Sequence, residues 1–139
     1  MSRKLGLTLS LPLVVAVALA TAAWARTFTL QATPMVPGAT GSVDAKAGKN
    51  AGNTSVDIKV DHLARPTLLS PPASQYVVWI QPENGEAQNE GNLLVGENEK
   101  GSLTVTTTAS KFTMMVTAES DTHPTEPSKR VVLHTDVLE

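Results

Sequence analysis

Apolar and polar side chains follow two different patterns along this chain, and the change falls near residue 25. Upstream, Leu5 to Ala23 is one uncharged run. Downstream the period is two. Phe28, Leu30 and Ala32 alternate with Thr27, Thr29 and Gln31, the signature of a half-buried strand. Val43, Ala45 and Ala47 alternate with Ser42, Asp44 and Lys46, and Val56, Ile58 and Val60 with Ser55, Asp57, Lys59 and Asp61. The polar, glycine-containing stretch from Gly48 to Asn53 separates these last two runs. It makes Ser42 to Ala47 and Thr54 to His62 a hairpin. His62 follows the inward set Val56, Ile58 and Val60 and is expected to cap that strand.

Leu63 to Ser74 carries Pro66, Pro71 and Pro72. Proline has no N–H to give to a ladder, so this segment reads as an irregular crossover between sheets. Tyr76 to Ile80 is apolar at every position, which suits a central strand covered on both faces. Asn84-Gly85 follows and predicts a type I′ turn, because both residues tolerate positive φ. The return strand runs through Gln88 towards Val95, with Gly91 the candidate bulge. After a turn at Glu97 to Gly101, Leu103, Val105 and Thr107 alternate with Thr104 and Thr106. Phe112, Met114, Val116 and Ala118 form another inward set. Asp121 to Pro127 is a loop, and Val131 to Leu133 a last short strand. No ten-residue amphipathic helix and no internal repeat is present. The expected fold is all-β: an antiparallel β-sandwich of about seven or eight strands, immunoglobulin-like in general architecture.

The first 25 residues read as a signal peptide. Arg3 and Lys4 precede the apolar run, and Ala23-Trp24-Ala25 supplies the small side chains that a peptidase pocket accepts, so cleavage is expected after Ala25. The competing reading is a retained anchor, since the run nears the ~20 residues of a spanning helix. Pro12 and the small residues before the cut favour cleavage. With either outcome Arg3 and Lys4 stay on the cytoplasmic side, which places residues 26 to 139, a single domain, in the periplasm or outside the cell. Membrane association is expected only if the segment is retained.

Charge and composition then remove whole classes of function. The chain has 11 basic and 13 acidic residues; without Arg3 and Lys4 the basic count is 9, a net charge of −4. Only Lys129-Arg130 forms an adjacent basic pair after the leader, so the clustered cations that nucleic acid requires are missing. Absence of cysteine removes disulfides, thiolate nucleophiles and thiolate metal ligands together, leaving a packed core to hold the domain.

The candidates for chemistry are sparse. His62, His123 and His134 stand far apart, without the clustering of zinc ligands. The acidic stretches Glu83 to Glu90 and Glu97 to Gly101 lack the order of a calcium loop and read as solvated turns. Glu119 and Asp121 are spaced to share a strand face, but they mark the polar end of a strand more simply than an acid and base pair. No serine lies in a nucleophile elbow. Asn53-Thr54-Ser55 matches the glycosylation sequon. No catalytic residue, metal or cofactor is therefore expected. Tyr76 and Trp79 remain, on opposite faces of one strand. Trp79 suits inter-sheet packing and Tyr76 the start of the strand, with its hydroxyl near solvent. Both are also candidate ligand or partner contacts, since aromatic residues are favoured at interfaces.

From about Val56 to Leu133 the chain resembles the extracytoplasmic domain of the bacterial anti-sigma-K factor family. The resemblance rests on Tyr76-Val77-Val78-Trp79, Asn84-Gly85, Gly91, then Phe112 leading into Val116-Thr117-Ala118-Glu119, Pro124-Thr125-Glu126-Pro127 and Val131-Val132-Leu133. It implies a sensory or regulatory β-domain without enzyme activity, the outer part of a protein that also has a sigma-binding domain and a membrane helix. Residues 1 to 25 leave no room for those parts, so the outer domain is expected to stand apart from its signalling machinery. The expected role is a non-enzymatic binding module whose partner is an envelope protein or a small ligand, reached by strand addition at a sheet edge. A structural, self-associating module is the alternative, suited by the Thr-rich strand from Ser102 to Thr108. An uncharacterised hydrolase is a third reading, and it would need Glu119, Asp121 and His123 to converge.

Overall fold

A computed structural model describes residues 6 and 24–137. Apart from Gly6, Trp24 and Ala25, the expected leader lies outside the described residues. Eight strands are described: β1 (Ala25–Ala32), β2 (Thr40–Ala47), β3 (Thr54–Asp61), β4 (Gln75–Pro82), β5 (Gln88–Leu93), β6 (Gly101–Thr107), β7 (Phe112–Glu119) and β8 (Val131–Val137). The one helical element among the described residues is a 3₁₀ turn at Pro66–Leu68, inside the proline-rich crossover.

All pairings are antiparallel, in the order β5-β4-β7-β8-β1-β2-β3-β6. β1 belongs to both layers. Its residues Ala25 to Leu30 pair with β2, and Gln31 and Ala32 pair with β8. The chain is thus a nearly closed sandwich in which β1 passes from one sheet to the other. β5 and β6, at the two ends of the order, lie near each other without pairing.

Alternation along each strand decides which face points inward. Val43 and Ala45, Val56, Ile58 and Val60, Tyr76, Val78 and Ile80, and Phe112, Met114 and Val116 all join one buried cluster between the sheets. Each fully buried aliphatic or aromatic side chain contributes roughly 1.5–3 kcal/mol by leaving water, against about 1 kcal/mol net for a hydrogen bond. With no disulfide to join the layers, this cluster is what holds them together.

The strands depart from expectation at three places, each for a local reason. His62 does not cap the core. It adopts a left-handed backbone (φ 55°), is exposed, and turns the chain so that Leu63 takes the buried position. Asn84-Gly85 does not form a type I′ turn, since neither residue has positive φ. β4 ends at Pro82 and β5 starts at Gln88, so the connection is long enough to use an ordinary turn, closed by the Gly85 amide donating to the Pro82 carbonyl (3.1 Å). Gly91 does lie at a bulge: Val78 pairs with Gly91 and Trp79 with Asn89, leaving Glu90 as the extra residue and Gly91 at φ 122°. β8 runs four residues beyond Leu133. A register shift opposite Val116 and Thr117 leaves Val132 unpaired, so Val132 and Leu133 are both buried and the alternation breaks there.

Candidate functional site

Tyr76 and Trp79 take opposite faces of β4, and both are fully buried. Tyr76 faces the inter-sheet core. Its hydroxyl is not near solvent: it donates to the Ala64 carbonyl at 2.5 Å and ties the proline-rich crossover to β4. Burial pushes the phenol up to about 12, partly offset by the positive charge of Arg130.

Trp79 lies outside the inter-sheet cluster, which corrects its expected place between the sheets. It sits on the outer face of β4, where residues 120–130 cross as a strap. Asn89 Nδ2 of β5 donates to the Pro124 carbonyl (3.0 Å), Gln75 Nε2 of β4 to the Thr122 carbonyl (3.2 Å), and the Ser128 amide to Glu119 Oε1 of β7 (2.8 Å). Beneath it runs a buried polar chain. Trp79 Nε1 donates to Thr117 Oγ1 (2.7 Å), and the Thr117 hydroxyl donates to Glu119 Oε1 (2.7 Å). Each donor in this chain has an acceptor, which is what lets polar groups be buried without a large desolvation loss. Glu119 is buried in that role, while Asp121 and His123 are exposed on the strap, so the three do not converge on one site. His62 and His134 are exposed as well, and no cluster of three metal-capable side chains occurs among the described residues.

Accessible polar features also lie on the other sheet. The outer face of β1, β2, β3 and β6 is polar apart from Ala25 at the start of β1. Across it, Thr27, Asp44, Asp57 and Thr104 stand in one register row. Asp44 and Asp57 are directly opposite, a repulsive arrangement relieved on both sides. Thr27 donates to Asp44 (2.7 Å), Thr104 donates to Asp57 (2.6 Å), and Lys46 Nζ lies 3.6 Å from Asp57. The Thr104 hydrogen bond, with help from Lys46 and Lys59 and against the opposing effect of burial, holds the Asp57 carboxyl below its ordinary value.

One end of this face opens into a shallow groove of about 790 Å³, lined by Thr40, Ser42, Lys59, Asp61, Lys100 and Ser102. Its wall includes Leu94, a residue 80% exposed. The groove runs into the free edge of β6. Among the described residues no backbone hydrogen bond reaches β6 from the side away from β3. The sequence of β6, Gly-Ser-Leu-Thr-Val-Thr-Thr, has no charge and no proline, and its pairing with β3 has no register shift. β5, the other edge, carries Glu90 and the bulge at Gly91, two devices that discourage pairing. Sequence reasoning singled out the Thr-rich strand but not its edge position, which depends on strand order and leaves no trace in local alternation.

In comparisons with protein families, with curated proteins and with solved structures, nothing matches this chain.

Proposed function

We propose that this chain is an exported, non-enzymatic binding module that works in the periplasm or outside the cell, sensor-like in the manner of the anti-sigma-K outer domains it resembles. The observation that supports this most is the free edge of β6 beside a polar groove. An extended segment of a partner chain in the envelope would add there as a strand, its backbone taking the unpaired N–H and C=O groups of β6. Lys59, Lys100 and Asp61 at the groove would then select the side chains that flank it. The signal-like pattern of residues 1 to 25 supports the location.

Photo-crosslinking in intact cells tests the reading. A photoreactive side chain at position 106, on the edge strand, is expected to give adducts of higher mass. The same group at position 29, on the outer face of an interior strand, is expected to give none. Adducts from both positions alike, or none from position 106, would count against binding at this edge.

A further inference from the structure

We propose that the occupant of the β6 edge is a second copy of this chain, paired antiparallel to itself about Thr104. The inference rests on the proposed binding role of that edge and names the partner.

An edge strand can accept only another extended backbone, so its side chains decide which one. In β6 they are self-complementary. Rotating the strand about Thr104 places Thr104 opposite its copy, Leu103 opposite Val105 and Ser102 opposite Thr106. On the outer face this makes three pairs of hydroxyl side chains, a favourable cross-strand combination. On the inner face it sets one apolar residue against another. Leu103 is only half-buried, and an added strand would cover it. A copy of the strand brings no charge to the edge, so no like charges meet across it. A charged peptide would gain nothing from β6 itself.

The same operation extends beyond the strand. Leu94 stands beside Gly101 at the start of β6, its carbonyl 2.6 Å from where a Gly101 side chain would begin. An antiparallel copy brings its Thr107 end opposite Gly101, beside the exposed Leu94. The two four-stranded layers β1-β2-β3-β6 would become one continuous eight-stranded sheet across a two-fold axis, an isologous and closed contact. β5 cannot do the same, because its bulge and Glu90 interrupt the edge.

Sedimentation of the full chain, exported and purified in the form its own leader gives, tests this directly. Ser102 and Thr106 are exposed, and neither side chain holds a hydrogen bond among those described, so both tolerate charge. The wild-type chain is expected to dimerise. Ser102→Glu with Thr106→Glu sets like charges opposite at two pairs and should weaken the dimer about tenfold or more. Ser102→Glu with Thr106→Lys sets opposite charges at the same pairs and should restore it. A monomeric wild type overturns the proposal. So does a Glu/Glu variant that dimerises as well as wild type, or a Glu/Lys variant no better than Glu/Glu. A monomeric wild type whose position 106 still crosslinks to another envelope protein would end self-pairing and leave the binding role standing. A dimer whose position 106 crosslinks only to itself is the result expected here.

Discussion

Trp79 and Thr117 are joined by a 2.7 Å hydrogen bond on a face of β4 that a two-layer sandwich would ordinarily leave to solvent. That bond is the first link of the chain that ends at the Ser128 amide, so the buried tryptophan and the strap over it are parts of one polar network.

Replacing Trp79 by Phe removes the indole donor and leaves Thr117 without it in a buried place. Unfolding in urea is expected to show a loss of about 1–3 kcal/mol, the usual result of orphaning a buried polar group. The emission of Trp79 in the native protein should be that of a fully buried indole, shifting to the red on unfolding.

Glu119→Ala takes the acceptor from both the Thr117 hydroxyl and the Ser128 amide. The strap should loosen, read as faster hydrogen exchange at the Ser128 amide, with a stability loss of about 2–3 kcal/mol. Glu119→Gln keeps an acceptor oxygen and should lose less. Equal losses for the two variants would mean that the carboxylate's hydrogen bonds do not fasten the strap.

The Tyr76 hydroxyl titrates at about 12 in the fold, against 10.0 for an ordinary phenol. An unfolded chain gives up this proton near pH 10 while the folded one holds it to about 12, so the fold binds more protons in that window. Stability contributed by Tyr76 is therefore complete below pH 10 and is lost as pH rises from 10 to 12. Tyr76 is the only tyrosine, so phenolate absorbance follows this single group. Tyr76→Phe should abolish this part of the alkaline loss and lower stability at neutral pH by about 1–2 kcal/mol, because the Ala64 carbonyl loses its donor.

Thr104→Val removes the largest cause of the depressed Asp57 carboxyl. Carbon NMR of the carboxylate should show its midpoint rising towards the ordinary value. In the wild type, the stability contributed by Asp57 is present above the ordinary carboxylate value of 3.8 and is lost as pH falls through the lowered one. The variant should lose less of its stability on acidification through that range.

How far the sequence could be read depended on whether a feature was local. Period-two alternation located β1, β2, β3, β6 and β7, because burial on one face is written residue by residue, as at Val56, Ile58 and Val60. Strand ends followed less well. His62 sits in phase with that inward set, and only its left-handed backbone takes it out of the core. The five apolar residues from Tyr76 to Ile80 announced a strand covered on both faces, and it is covered. What covers the second face is a strap more than 40 residues further along, fastened by Asn89, Gln75 and Glu119, and no local pattern reports such a partner. The edge position of β6 was hidden for the same reason: Ser102 to Thr107 alternates like any interior strand, and only the pairing order exposes one side of it.

Hydrogen exchange along the two edge strands, followed by mass spectrometry on the full chain at low and at high concentration, bears most directly on β6 as the binding edge. Exchange across residues 101 to 107 is expected to slow at the high concentration, while residues 88 to 93 of β5 stay unchanged. Unchanged exchange in β6, or protection confined to β5, would contradict the account.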